Sequence, residues 1–212
     1  MASILRRPLR YRYFNATIIL IVMNVIVFLL GFLGLQRVIQ VYLGLTPLLV
    51  LQAGTWWQVV TYMFVHGGWG HIFFNMLALF LFGIQLEQRM GSSEFLLYYF
   101  VCGIGAGIAT VFINMATGQG AVDVVGASGA IFALLLAFAS YFPDARIFIF
   151  GILPMRAPLA VGLYAGIEIF SSFTSFQSGV AHLTHLAGLL VGWLYLAARL
   201  DMNPFTIFFR RR

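Results

Sequence analysis

The chain has 212 residues, 62% of them hydrophobic and only 8% charged, whereas a soluble domain carries about 25% charged side chains. So little charge cannot coat a water-facing surface, which excludes a soluble globular domain and predicts an integral membrane protein. The net charge of +6 comes wholly from arginine and reads as a bilayer orientation signal rather than a nucleic-acid footprint, while a single cysteine, Cys102, excludes an intramolecular disulfide and a thiolate metal cluster.

A crossing helix needs about 20 largely apolar residues. The basic segment 1–13 leads into a first apolar run at 14–36. It lacks a clear small-residue cleavage site, so the run reads as a retained span and not a signal peptide. The uncharged stretch from Val41 to Val65 is long enough to cross, but Pro47, Gln52, Gly54 and Gln58 interrupt it. Trp56 and Trp57 suit a membrane interface, and residues 37–70 are expected to form an outer loop lying partly in that interface. Further runs follow at 71–88, 94–114, 127–142, 154–173 and 181–199, and a basic tail at 200–212. Arg6, Arg7, Arg10 and Arg12 precede the first span, and Arg210, Arg211 and Arg212 follow the last. Positive-inside logic puts both ends in the cytoplasm, which requires an even number of crossings. Six crossings also bring Arg89, Arg146, Arg156 and Arg199 to the cytoplasmic side and leave only Arg37 outside. The expected fold is all-α: one six-transmembrane-helix bundle over residues 1–212.

With that parity the second, fourth and sixth spans begin at the outer face. The second opens with His71 and Asn75 on one helical face and His66 just above. Their side chains can donate hydrogen bonds to a developing oxyanion. The fourth opens with Gly126, Ala127, Ser128 and Gly129, a stretch that also reads as a small-residue packing patch. About 16 residues at ~1.5 Å rise give roughly 24 Å against ~30 Å of hydrocarbon. Ser128 is therefore expected to sit recessed below the outer surface, with room for water above it. The sixth span opens with His182 and His185, followed by Gly188 and Gly192, a pair four apart that lets another backbone approach. At about 100° per residue, His185 points toward the glycine face and His182 to one side. A serine and a histidine within hydrogen-bond reach are the minimum for an activated hydroxyl nucleophile, and Phe132, four residues after Ser128, is placed to wall the imidazole. The histidines could instead hold a metal, but no H-E-x-x-H pattern occurs and no metal or other cofactor is expected. Glu168, the one carboxylate well inside a predicted span, is either a ligand or a structural partner of a polar neighbour. Asp123, five residues before Ser128, lies in a loop, and a triad through it is not expected.

Together these motifs resemble the rhomboid intramembrane serine proteases: G-A-S-G around Ser128, H-x-x-G-x-x-x-G as His185, Gly188 and Gly192, and His66, His71 and Asn75 on the second span. Gly83, Glu87 and Gly91 add a G-x-x-x-E-x-x-x-G pattern. The resemblance implies a serine–histidine dyad at Ser128 and His185. It also implies an oxyanion site at His71, Asn75 and the Ser128 amide, with Gly126, Phe132, His66, His182, Gly188 and Gly192 in support. It further implies a minimal form without an amino-terminal soluble domain, and hydrolysis of transmembrane protein substrates near the outer face of the bilayer without metal or ATP. Two positions depart from the family's usual pattern: Trp57-Gln58 stands for Trp-Arg in the outer loop, and Phe132 for a frequent tyrosine.

The expected localisation is a prokaryotic cytoplasmic membrane, with the site opening outward. Neutral imidazole is required for general-base work, so activity should fall on acidification. A helical substrate must unwind locally, because a helix hides its carbonyls in hydrogen bonds. The segment 171–179 before the sixth span is a candidate lid. Two other classes fit the same residues: a catalytically inactive rhomboid-like protein that binds membrane clients, and a histidine-based metal or solute carrier.

Overall fold

A computed structural model describes residues 8–149, 152–174 and 182–209; the predicted lid falls mainly outside them. The described helices are α1 (Ala16–Leu43), α2 (Pro47–Gln52), α3 (Gln58–Thr61), α4 (Trp69–Met90), α5 (Ser92–Ala116), α6 (Ser128–Tyr141), α7 (Ala157–Thr174), α8 (His182–Arg199) and α9 (Pro204–Phe208). By length and composition α1, α4 and α5 can cross a membrane, while α6 and the run Ala157–Phe173 are apolar but shorter. Apolar side chains such as Ile18, Val22 and Ile26 on α1, Phe73 and Phe74 on α4, and Leu159, Leu163 and Phe170 on α7 face outward. Contiguous exposed apolar surface of this kind suits a lipid environment.

The shortness of α6 has a packing reason. From Gly129 to Ser140 it is almost entirely buried, so it is a central helix surrounded by protein and not a span against lipid. Tyr98 on α5 donates its hydroxyl to the Ala133 carbonyl at 2.6 Å, and Thr110 on α5 meets Thr184 on α8 at 2.6 Å. On α8, Gly188 lies against the Gly129 backbone and Gly192 against Ala133. Association of helices in lipid depends on such close van der Waals contact and on hydrogen bonds, because lipid tails are as apolar as leucine.

Glu87 ties the ends of α1, α4 and α5 together. Its carboxylate accepts the Ala16 and Thr17 amides at 2.6 and 2.8 Å and the Ser92 hydroxyl at 2.5 Å. These amides open α1 and have no intrahelical partner. A buried donor left unpaired costs roughly 1–3 kcal/mol, and Glu87 is only 1% exposed. Glu87→Ala is therefore expected to lower unfolding free energy by roughly 2–4 kcal/mol, read by denaturant titration in detergent micelles. An unchanged midpoint would show that water or lipid replaces the carboxylate at no cost.

Four features differ from the sequence reading. The first helix continues past residue 36 to Leu43, across a π-type turn at Gly31–Leu35 in which Gly34 takes φ 89°. The loop that follows, expected at 37–70, carries short helices: α2, α3 and a 3₁₀ turn at Tyr62–Phe64 run through it. Leu45 and Val124 exchange backbone hydrogen bonds at 2.9 and 2.8 Å, which straps this loop to the segment before Ser128. Between α6 and α7 lies an antiparallel hairpin, β1 (Arg146–Ile149) with β2 (Leu153–Arg156), in which Arg146 faces Arg156. The fold is mostly helical, as expected, and this short hairpin is its one pair of strands among the described residues. Its near-continuous apolar run lacks a period of two, and short apolar runs do not separate strand from helix. The short α9 after the sixth predicted span was not foreseen either.

Candidate active site

Ser128 is the first residue of α6. The opening N–H groups of a helix have no intrahelical acceptors, and they carry the positive end of the helix dipole. Gly126, two residues earlier, takes φ 115°, a conformation that L side chains rarely adopt, and a Cβ there would lie 2.6 Å from His71 Nε2. Its amide donates to the Tyr62 carbonyl at 2.9 Å. The turn into α6 is thus fixed by glycine on one side and by the outer loop on the other.

His185 projects from α8 toward that turn, and its Nε2 lies 2.7 Å from Ser128 Oγ. The close backbone contact at Gly129 and Gly188 sets this spacing, since each glycine is within one turn of one member of the pair. Phe132 stacks on the imidazole with ring centroids 4.5 Å apart and planes at 10°. Ser128 is half-buried and His185 is buried, so the hydroxyl stays reachable while the ring is held.

The other predicted residues lie around this pair. His71 is half-buried beside Gly126, and Asn75 is buried one turn further along α4. The Asn75 amide donates to the His71 carbonyl at 2.8 Å, and its oxygen is buried without a partner. His66 precedes α4 and meets the His71 ring edge-to-face at 5.0 Å. Burial, reinforced by His71 beside it, pushes the His66 imidazole down to about 4, so it is neutral at physiological pH. Asp123 accepts from the Thr46 hydroxyl at 2.6 Å; it serves the loop strap.

Gln58 keeps the loop anchored without a charge. Its Oε1 accepts the Thr46 amide at 3.1 Å and its Nε2 donates to the Val41 carbonyl at 3.0 Å. Two arrangements were not readable from the sequence. Glu94 on α5 is buried and accepts from Arg199, Tyr195 and the Leu9 amide. Glu168 on α7 reaches both histidines of α8: Oε2 is 2.6 Å from His182 Nδ1 and Oε1 is 3.0 Å from His185 Nδ1. The His185 contact lies off the axis of the ring N–H, so it is a close approach and not a linear hydrogen bond. Both contacts join different helices, and no local spacing announces them. The same three side chains offer metal-ligand atoms within 4.8 Å of one another, and are the one such group among the described residues.

Residues 53–201 match the family model of the rhomboid domain. The chain belongs to the rhomboid family. Among its relatives, rhomboid protease GluP of Bacillus subtilis is 37% identical over 86 residues, covering 41% of this chain and 16% of the relative. Rhomboid protease AarA of Providencia stuartii is 25% identical over 160 residues, 66% of this chain and 55% of the relative. Rhomboid-related protein 4 of Homo sapiens is 31% identical over 152 residues, 68% of this chain and 46% of the relative. The chain thus spans about half or less of the length of these rhomboid relatives. Helical rhomboid architecture agrees with the apolar helices described above.

Proposed function

We propose that this rhomboid is an intramembrane serine endopeptidase that hydrolyses peptide bonds in or near the transmembrane segments of membrane-protein substrates. The observation that carries the reading is the 2.7 Å approach of His185 Nε2 to Ser128 Oγ at the start of a buried helix. In this mechanism His185 takes the Ser128 proton as the hydroxyl oxygen attacks a substrate carbonyl carbon. The oxyanion forms beside the Ser128 amide, with His71 and Asn75 as the side-chain donors. Donors fixed in a water-poor site stabilise such charge without reorganisation. His185 then returns the proton to the leaving amine. A water molecule, deprotonated by the same imidazole, releases the acyl group and restores Ser128.

Six crossings, both termini in the cytoplasm and a site open to the outer face complete the proposal. Its support is the arginine distribution and the position of Ser128 at the helix start. The test is covalent labelling. A fluorophosphonate probe is expected to phosphonylate Ser128 and no other residue, and His185→Ala is expected to slow labelling by about 10³-fold or more, since it removes the general base. Labelling elsewhere, or an unchanged rate without the imidazole, would overturn the dyad and favour a client-binding role.

A further inference from the structure

Resting on that dyad, we infer that Glu168 is a positioning residue for His185, making the site a Ser128–His185–Glu168 line with His182 as its second anchor. A buried carboxylate is costly unless it is paired, and Glu168 is only 8% exposed. Among the described contacts its two oxygens go to one group each, the Nδ1 atoms of His182 and His185. Each imidazole can donate its Nδ1–H to one oxygen. That arrangement leaves His185 Nε2 without a proton and facing Ser128 Oγ, which is the tautomer a general base needs.

A neutral histidine is otherwise free to carry its proton on either nitrogen, and the hydrogen bond at one nitrogen selects the state of the other. With the proton on Nε2, His185 would donate to Ser128 and could not accept its proton. The carboxylate also stabilises the imidazolium that forms while Ser128 attacks, as the acid of a Ser-His-Asp unit does. The contact to His185 is short but off-axis. Catalytic hydrogen bonds are commonly misaligned before substrate binds and tighten in the substrate complex.

His182 fixes the carboxylate. Its 2.6 Å bond holds one oxygen, so the other stays turned toward His185. The two histidines sit three residues apart on α8, with ring centroids at 6.5 Å, a spacing one carboxylate can span. Glu168 comes from α7, while Ser128 and His185 come from α6 and α8. The line therefore depends on α7 docking against the other two.

The test compares Glu168→Gln and Glu168→Asp with the unsubstituted protein in detergent, using a transmembrane reporter substrate. Glutamine keeps the size and removes the charge. It is expected to lower kcat by about 10²- to 10⁴-fold while KM stays within about twofold, and to slow fluorophosphonate labelling of Ser128 in parallel. Aspartate is expected to recover part of kcat, because the charge is restored at a greater distance. Nitrogen-15 NMR of histidine-labelled protein is expected to find His185 as the Nδ1–H tautomer. Should Glu168→Gln not yield folded protein, this measurement on the unsubstituted chain carries the test. Undiminished kcat in a folded Glu168→Gln protein, or an Nε2–H tautomer at His185, would overturn the inference. If Ser128 itself proves dispensable, the dyad fails instead.

Discussion

Ser128→Ala is expected to bring cleavage of a transmembrane reporter to the level of membranes without the protein, with the fold intact. The hydroxyl has one side-chain partner among the described residues, His185 Nε2 at 2.7 Å. Its loss costs at most one hydrogen bond, roughly 1 kcal/mol, and the small-residue start of α6 accommodates a methyl without a clash. In nucleophile–base units, removal of either member costs about as much as removal of both, on the order of 10⁶ in kcat. The expected pattern is therefore a large loss of turnover with a thermal midpoint nearly unchanged. His185→Ala should show the same activity loss, and the double variant should be no worse than either single one. Additive losses, or residual cleavage above about 1% in Ser128→Ala, would mean that another group attacks the peptide bond.

The sequence shows some of this site clearly and hides other parts for physical reasons. Composition alone demands a membrane protein. Asn75, Ser128 and His185 stand near the starts of three apolar runs, and at about 100° per residue His185 points toward the Gly188 and Gly192 face. Such signals are local, so one chain suffices to read them. The Glu168 contacts, the Glu87 clasp and the Glu94 network join residues far apart in sequence, and nothing in the spacing foretells them. In the sequence Glu87 is only part of a motif; its work of receiving the opening amides of α1 is a tertiary fact. The hairpin after α6 escaped because its apolar run has no clear period. Gln58 departs from the family's usual Trp-Arg pattern, and its buried amide, with a donor and an acceptor, ties the loop to two backbone groups at once.

Gly188→Ala should damage stability and activity together, and in a graded way relative to other glycines. A Cβ at Gly188 would fall on the Gly129 carbonyl oxygen, a backbone atom inside a buried helix that cannot swing aside. The relief is separation of α6 from α8. Overpacking of this kind costs roughly 1–3 kcal/mol. The contact lies one residue from Ser128 and three from His185, so the displacement appears directly in the 2.7 Å approach. A shift of about 1 Å can cost about 10²-fold in rate, and kcat is expected to fall by at least that much. Gly192→Ala meets Ala133 at 2.9 Å and the Tyr98 hydroxyl at 2.7 Å, a turn further from the site. It should destabilise comparably while sparing more of kcat. Gly162→Ala has no heavy atom within 4 Å of the added methyl and should be neutral or slightly stabilising, as expected for alanine in a helix interior. Full activity and full stability in Gly188→Ala would show that this glycine contact does not set the helix spacing, and the fixed geometry of the serine and histidine would need another cause.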